Sequence, residues 1–261
     1  MWNTSTIDGY EVEARDGPLG TVSDLLFDQA NWMVRWLVVD TDRWLSSRKV
    51  LLPPSALGNI DPARRQFSVK LTVQQVKDSP DIDTDRPVSR QMETNTYDHY
   101  NCAPYCGNVE FSNSDGYVGG IAVSPAREES IADGPPDDDD QHLRSVEAVS
   151  GYHIHAGDGE IGHIECFLLR DADWSINFLV VDTKNWWPGR KVLISPRSAV
   201  QIDWTAKLVT LNVDRQRVKD SPAYHATAAV DRLYEKHFNS HYGLSDAQAI
   251  ASAQLGLAQQ F

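Results

Sequence analysis

The chain has 261 residues, with 24 lysines and arginines against 37 aspartates and glutamates, so its formal net charge is −13 and its pI is about 4.9. Its length fits one large or two ordinary domains, and 41% hydrophobic residues predict a buried core. The acidic excess weighs against a nucleic-acid partner, and three cysteines are too few for a disulfide scaffold. The sequence has neither a run of about 20 apolar residues nor a signal-peptide start, so we expect a cytoplasmic protein.

The first 80 residues read mostly as short β-strands. Residues 10–14 alternate between apolar and charged side chains, which is typical of a half-buried strand, and a turn at 15–18 joins them to the next strand as a hairpin. Thr72 and Gln75 have the spacing of a capping box, which predicts a short helix ending near Asp78. Five or six strands in this length favour a small closed barrel. The strands are predicted at 10–14, 19–27, 32–40, 49–52 and 67–71.

The same pattern returns 142 positions later without a gap. Between residues 9 and 80, 28 of 72 positions are identical to their counterparts at 151–222, which predicts a tandem duplication. Between the copies lies a stretch with nine acids and one base, ending in four aspartates, which has the composition of a solvated linker. The predicted organisation is a first repeat with a trailing helix, an acidic linker, a second repeat with a trailing helix, and a tail. Their bounds are 1–100, 101–141, 142–243 and 244–261.

Three motifs that recur in order in both copies resemble the PRC-barrel family. They are the hairpin at 16–22, the strand at 32–41 and the strand at 48–54, and segment 83–93 is also typical of stand-alone bacterial members. The resemblance covers about 5–80 and 147–222. It implies a mainly β fold with two small barrels in tandem, each followed by short helices. Known members include the cytoplasmic part of the photosynthetic reaction-centre H subunit and part of a ribosome-maturation factor.

Two loops between strands combine tryptophan with cationic side chains and are the candidate partner-binding surface. Tryptophan and arginine are favoured anchors of protein interfaces, and loops between strands tend to carry binding residues. The alternative is that the tryptophans only cover the barrel ends. The candidate residues are Trp44, Arg48, Trp186, Trp187 and Arg190.

Histidines in the second copy offer a different chemistry. His153 and His155 alternate along one strand and therefore share a face, while His163 and Glu165 lie on the return strand. Imidazole and carboxylate at such spacings could bind a divalent metal ion, although a solvent-facing polar side of a hairpin accounts for them without any metal. Cys102 and Cys106 form a second, incomplete candidate set with the nearby histidine of a His-Tyr pair. That pair recurs in the second copy without cysteines, which favours a packing role.

These observations predict a binding or scaffolding protein that is not an enzyme and needs no cofactor. The partner is a protein of unknown identity, and nucleic acid is not expected. Because every loop keeps its length in both copies, we expect the two repeats to pack as a pseudo-dimer related by about a half turn. The post-barrel helices at 88–100 and 230–242 should lie at or beside the contact, and homo-oligomers can form as well. The second helix has one stripe that would supply apolar area, formed by Val230, Leu233, Tyr234, His237 and Phe238. Two alternatives stay open, a metal-binding or metal-sensing protein and an RNA-processing adaptor.

Overall fold

The computed structural model describes residues 1–41, 48–80, 90–100, 142–183, 190–225 and 230–244. Its first half contains seven strands and three helices, with a single 3₁₀ turn at Pro54–Ala56. The strands are β1 (Trp2–Asn3), β2 (Glu11–Ala14), β3 (Gly17–Asp28), β4 (Met33–Asp40), β5 (Lys49–Leu52), β6 (Leu57–Asp61) and β7 (Gln66–Val69). The helices are α1 (Thr4–Ile7), α2 (Val73–Lys77) and α3 (Arg90–His99).

The second half repeats this order of elements, with a 3₁₀ turn at Pro196–Ser198. Its strands are β8 (Leu143–Ser145), β9 (His153–Ala156), β10 (Gly159–Leu169), β11 (Ile176–Asp182), β12 (Lys191–Ile194), β13 (Ala199–Asp203) and β14 (Leu208–Leu211). Its helices are α4 (Val146–Val149), α5 (Arg215–Lys219) and α6 (Arg232–Tyr242). The prediction of a mainly β fold is confirmed, whereas the domain boundaries stay predictions.

Each half builds one sheet, in the order β5-β4-β3-β2-β7-β6 in the first half and β12-β11-β10-β9-β14-β13 in the second. Neighbouring strands are antiparallel except for β2 with β7 and β9 with β14, which are parallel. Among the described strands no pairing joins β5 to β6 or β12 to β13, so each path of paired strands is open. Closure into a barrel, which the sequence predicted, is therefore not confirmed.

Strand β4 is buried on both faces, which explains its nearly continuous apolar sequence. Leu37 and Val39 face the core, whereas Trp36 and Val38 belong to a second cluster under helix α3. The Trp36 ring packs 4.5 Å from that of Tyr97, and its indole N–H donates to the buried Glu93 carboxylate at 2.9 Å. The trailing helix is thus held on the outer face of its own sheet.

Helix α6 covers the matching face of the second sheet, but the residues that it buries differ from those predicted. Phe238 is fully buried against Phe178, and Tyr242 packs beside it. Leu233, which the helical periodicity placed on the buried stripe, is 68% exposed. His237 is exposed as well. Fewer residues of the predicted stripe are therefore buried than its helical spacing indicated.

The two halves exchange their first strands. β1 pairs with β10 of the second half, and β8 pairs with β3 of the first half. The registers are equivalent, because Trp2 opposite Leu169 corresponds to Arg144 opposite Phe27 after the shift of 142 positions. Neither exchanged strand was predicted, since two or three residues show no periodicity.

A further contact between the halves joins equivalent residues. Met33 and Ser175, which are 142 positions apart, form an antiparallel bridge. Around it the Val34 N–H donates to the Trp174 carbonyl at 3.0 Å, and the Ile176 N–H donates to the Trp32 carbonyl at 2.8 Å. A bridge in which each residue meets its own counterpart is the contact that a two-fold relation between the halves produces.

The post-barrel helices are not the main contact between the halves. Helix α3 contacts the second half through the carboxylate of Glu93, which pairs with the His142 ring, and through Leu143. Helix α6 contacts the first half in a cluster that includes Met1. Both helices therefore lie beside the exchanged strands, while a single core of buried residues runs through both halves.

We predict that Gly20→Ala and Gly162→Ala each destabilise the protein by about 3 kcal/mol or more, because a Cβ would clash with a strand that cannot move. At these equivalent positions it would lie 1.9 Å from the Asp40 carbonyl oxygen and 2.0 Å from that of Asp182. Urea unfolding measures the loss. Gly151→Ala is the control: its φ of +88° is strained for alanine but no atom lies within 4 Å, so about 1–2 kcal/mol is expected. Equal losses in all three variants would contradict the close approach.

We also predict that Thr4→Val costs about 1–3 kcal/mol, because it leaves a buried amide without an acceptor. The Phe167 N–H donates to Thr4 Oγ1 at 3.0 Å across the exchanged contact. Thr4→Ser keeps the hydroxyl and should lose clearly less. Urea unfolding of both variants is the measurement, and a serine variant as unstable as the valine variant would show that this hydrogen bond contributes little.

Candidate partner-binding site

The two predicted binding loops lie largely outside the described residues, including Trp44, Trp186 and Trp187. The ends of both loops are described and are held in the same way. The Thr41 N–H donates to the Arg48 carbonyl at 3.1 Å, and the Thr183 N–H donates to the Arg190 carbonyl at 3.3 Å. Each threonine hydroxyl donates to the same carbonyl as its own N–H. In both loops, hydrogen bonds between the threonine before the loop and the arginine after it therefore fix the two ends of the loop.

The two arginines that end these loops differ in their surroundings. The Arg48 guanidinium donates to the carbonyls of Ser79 and Pro80, and so ties the hairpin to the segment that leaves the sheet. Arg190 is exposed and lines a small cavity of about 110 Å³ together with Lys191 and residues 221–225. Arg48 thus has a structural role, whereas the side chain of Arg190 is exposed at the end of its loop.

The histidines of the second half are partly brought together. His153 and His163 face each other across β9 and β10, whereas His155 lies opposite Glu160. His153 Nδ1 is 3.1 Å from Glu160 Oε1. Within the described residues, no group of three or more His, Cys, Asp and Glu side chains is placed to hold a metal ion. Glu165 instead forms an ion pair with Lys191 at 2.5 Å, which raises the pKa of the lysine.

The recurrent His-Tyr pair lies at the end of each trailing helix. The His99 ring contacts the Gln75 carbonyl at 2.7 Å, and the His241 ring contacts the Arg217 carbonyl at 2.8 Å. In both pairs the tyrosine ring lies edge-on to the histidine ring. These contacts join α3 to α2 and α6 to α5, in agreement with the packing role. Cys102 and Cys106, the two cysteines of the second candidate metal set, lie outside the described residues.

Sequence reasoning missed a cavity of about 210 Å³ between the two halves, which we call the junction cavity. It lies between helices α1 and α4 and the central parts of β3 and β10, so its walls come from both halves. Several wall positions are equivalent after the 142-residue shift, among them Ser5 with Glu147 and Ser23 with Glu165. The cavity therefore has equivalent positions of the two halves on its two sides, but the residues at these positions differ.

The side of the cavity formed by β3 carries the carboxylate of Asp24. It accepts hydrogen bonds from the N–H of Leu25 at 2.7 Å, the hydroxyl of Ser145 at 2.5 Å and the N–H of Glu147 at 3.1 Å. All three donors are neutral. Burial raises the pKa of Asp24 more than these hydrogen bonds lower it, and the Glu147 carboxylate raises it further. This carboxylate is thus half-buried without a cationic neighbour among the described residues.

The equivalent position on β10 is Cys166, whose thiol is buried. Burial raises the pKa of this thiol to about 11, and the neighbouring Glu165 carboxylate adds to the rise. The residue in the cavity wall is therefore a neutral thiol at physiological pH. One sequence signal pointed to the site, because Asp24 is a charged residue inside a predicted strand of otherwise mostly apolar or uncharged side chains.

The paired strands, the recurring hairpins and the short capped helices define a mainly β module, and comparison with known proteins agrees with this class. Residues 3–76 match the family model of the PRC-barrel domain, the family that the sequence motifs resemble.

One related protein was found in Deinococcus radiodurans, where it is described as an uncharacterized protein. It is 35% identical to this chain over 92 residues, which is 35% of this chain and 32% of the relative. The match therefore spans about a third of the length of that relative. Within the described residues, no helix is long and apolar enough to span a membrane.

We predict that Cys166 reacts with iodoacetamide far more slowly than an exposed thiol at pH 7.5, because the reactive thiolate is disfavoured by burial. Its folded pKa of about 11 exceeds the usual value of 9.0. The contribution of this group to stability is therefore complete below pH 9 and decreases as pH rises toward 11. Mass spectrometry of a Cys102→Ser/Cys106→Ser variant isolates the reaction at Cys166, with urea-unfolded protein as the fast control. Equal rates in folded and unfolded protein would contradict the burial.

Proposed function

We propose that this protein is a non-catalytic binding and scaffolding module, in which two PRC-barrel-type units act as a pseudo-dimer that holds a protein partner. The observation that carries the proposal is the reciprocal exchange of β1 and β8, which joins both halves through one core. A rigid pair of related units presents equivalent loops at fixed relative positions. Such pre-organisation reduces the entropy lost on binding.

The family match covers only 3–76, so the second unit is part of the proposal. It is supported by the same strand order, the same parallel pair and the same positions of the two helices in residues 142–243. The expectation of a cytoplasmic location also stays a prediction. It is based on the small number of cysteines, which fits a reducing compartment.

The proposed partner surface consists of the two loops at 42–47 and 184–189 with the exposed Arg190 beside them. The support is the conserved geometry of their ends, where the same threonine–carbonyl bonds fix both loops. The small cavity beside Arg190 is also lined by Tyr224, and tyrosine is enriched in protein interfaces. Metal binding at the second hairpin and RNA association stay predictions, which elemental analysis and an RNA titration at low salt would test.

We predict that a Trp44→Ala/Trp187→Ala variant captures its protein partners at least fivefold less than the unchanged chain, because interface tryptophans commonly contribute 2 kcal/mol or more. Capture from lysate of the source organism identifies candidates by mass spectrometry, and calorimetry with each purified candidate measures the affinity.

Leu233→Ala is the matched control, since it removes an exposed apolar side chain from helix α6. It should leave capture unchanged, and thermal unfolding should show that all variants fold. Candidates that bind the double variant as tightly as the unchanged chain would place the partner surface elsewhere. Failure of every purified candidate to bind the unchanged chain would contradict the scaffold function.

A further inference from the structure

We propose that the junction cavity binds the side chain of a lysine or arginine that a partner protein presents. The inference rests on the proposed function and deepens it, because it names the chemistry of one contact with the partner. It starts from a feature outside the two tryptophan loops, namely the cavity of about 210 Å³ between α1, α4, β3 and β10.

Part of the lining of the junction cavity is apolar. Ile7, Val22, Leu25 and Val146 are buried residues that line it. An apolar lining suits the methylene groups of a long basic side chain, which bury against apolar surface while the charged head stays near polar groups. A small inorganic cation would gain nothing from it.

The lining also contains four acidic residues. They are Asp8, Asp24, Glu147 and Glu165, and the described lining contains no lysine, arginine or histidine. Glu165 already has Lys191 as a partner beside the cavity. Asp24 and Glu147 have no cationic partner among the described residues, and the Glu147 carboxylate raises the pKa of Asp24. A cation between them would relieve that repulsion.

The geometry of Asp24 fits this role. Its two carboxylate oxygens are already fixed by three neutral donors, so the side chain is oriented before any ligand arrives. Each carboxylate oxygen can accept more than one hydrogen bond, so a cationic donor can be added without removing these bonds. Charge-assisted hydrogen bonds of this kind are stronger than those between neutral groups.

The size of the cavity also agrees. A volume of about 210 Å³ has room for several water molecules. A lysine side chain has five non-hydrogen atoms and an arginine side chain has seven, so one such side chain can enter the cavity.

The basic side chain is expected to come from another molecule. The linker at 101–141 carries nine acidic residues against the single base Arg127, and the segment 245–261 carries no base. An acidic cavity repels the first of these segments and has no charge partner in the second. Charge complementarity therefore favours a basic segment of a partner protein over these parts of the chain.

The test uses the full chain labelled with ¹⁵N and the peptide acetyl-Gly-Arg-Gly-amide, with the lysine peptide in parallel. Amides of residues 23–25, 146–150 and 165–167 should shift on titration, and the affinity should fall as salt rises. The matched control is the same peptide with citrulline, which keeps the shape of arginine but has no charge. It should bind at least tenfold more weakly.

Two variants and one control locate the site. Glu147→Gln removes an exposed charge and should weaken binding about fivefold, while Asp24→Asn should weaken it about tenfold. Asp24 also accepts hydrogen bonds from Ser145 and from the first turn of α4, so Asp24→Asn can fail to fold. In that case Glu147→Gln is the variant that tests the site. Asp98→Asn removes an exposed acid on helix α3 and should change nothing.

Equal binding of the citrulline peptide, or shifts confined to residues 101–141, would overturn the proposal. So would the absence of any shift up to the solubility limit of the peptides. These results leave the scaffold function standing if partner capture still depends on Trp44 and Trp187. Conversely, charge-dependent peptide binding without any partner capture would support the site and count against the scaffold function.

Discussion

The reciprocal exchange of the first strands is the constraint on which the rest of the structure depends. Without β1 the sheet of the second half loses one strand, and without β8 the sheet of the first half loses its equivalent. The bridge between Met33 and Ser175 adds a contact between equivalent residues. It is flanked by Trp32 and Trp174, which both adopt a left-handed backbone with φ near +58°. This conformation costs roughly 1–2 kcal/mol per residue, and its recurrence in both halves indicates that the paired carbonyl hydrogen bonds outweigh the strain.

The exchange also explains why the two sides of the junction cavity differ. In both halves one backbone N–H of the long strand, at Leu25 and at Phe167, donates to a side-chain oxygen. In the first half the acceptor is the Asp24 side chain, and in the second it is the hydroxyl of Thr4 from the exchanged segment. Because the Thr4 hydroxyl accepts the hydrogen bond from the Phe167 N–H, the residue of β10 that lines the cavity, Cys166, does not have to supply an acceptor. A thiol can therefore occupy the place where the first half requires a carboxylate.

The sequence predicted the parts of the fold that leave a local pattern. The alternation in β2, the apolar run of β4 and the capping box of Thr72 and Gln75 all correspond to observed elements. It missed β1 and β8, because strands of two or three residues are stabilised by the surface that they join and not by their own periodicity. It also placed Leu233 on the contact stripe of the trailing helix, although this residue is exposed, since a helical pattern shows only which residues share a face. The junction cavity was missed because its walls come from segments about 140 positions apart, and only the charge of Asp24 inside a strand pointed to it.

Fusion of the two halves in one chain has a consequence for recognition. A symmetric dimer of single repeats would place the same residues on both walls of the junction. A ligand on its two-fold axis would therefore contact identical residues on both sides. Here one wall carries Asp24 and the other a neutral thiol at Cys166, so the two orientations of a bound side chain differ in energy. The fusion also keeps the two halves together at every protein concentration, whereas a dimer would dissociate on dilution. An asymmetric cavity on a fixed pair of units can therefore orient one partner, which two identical walls could not do.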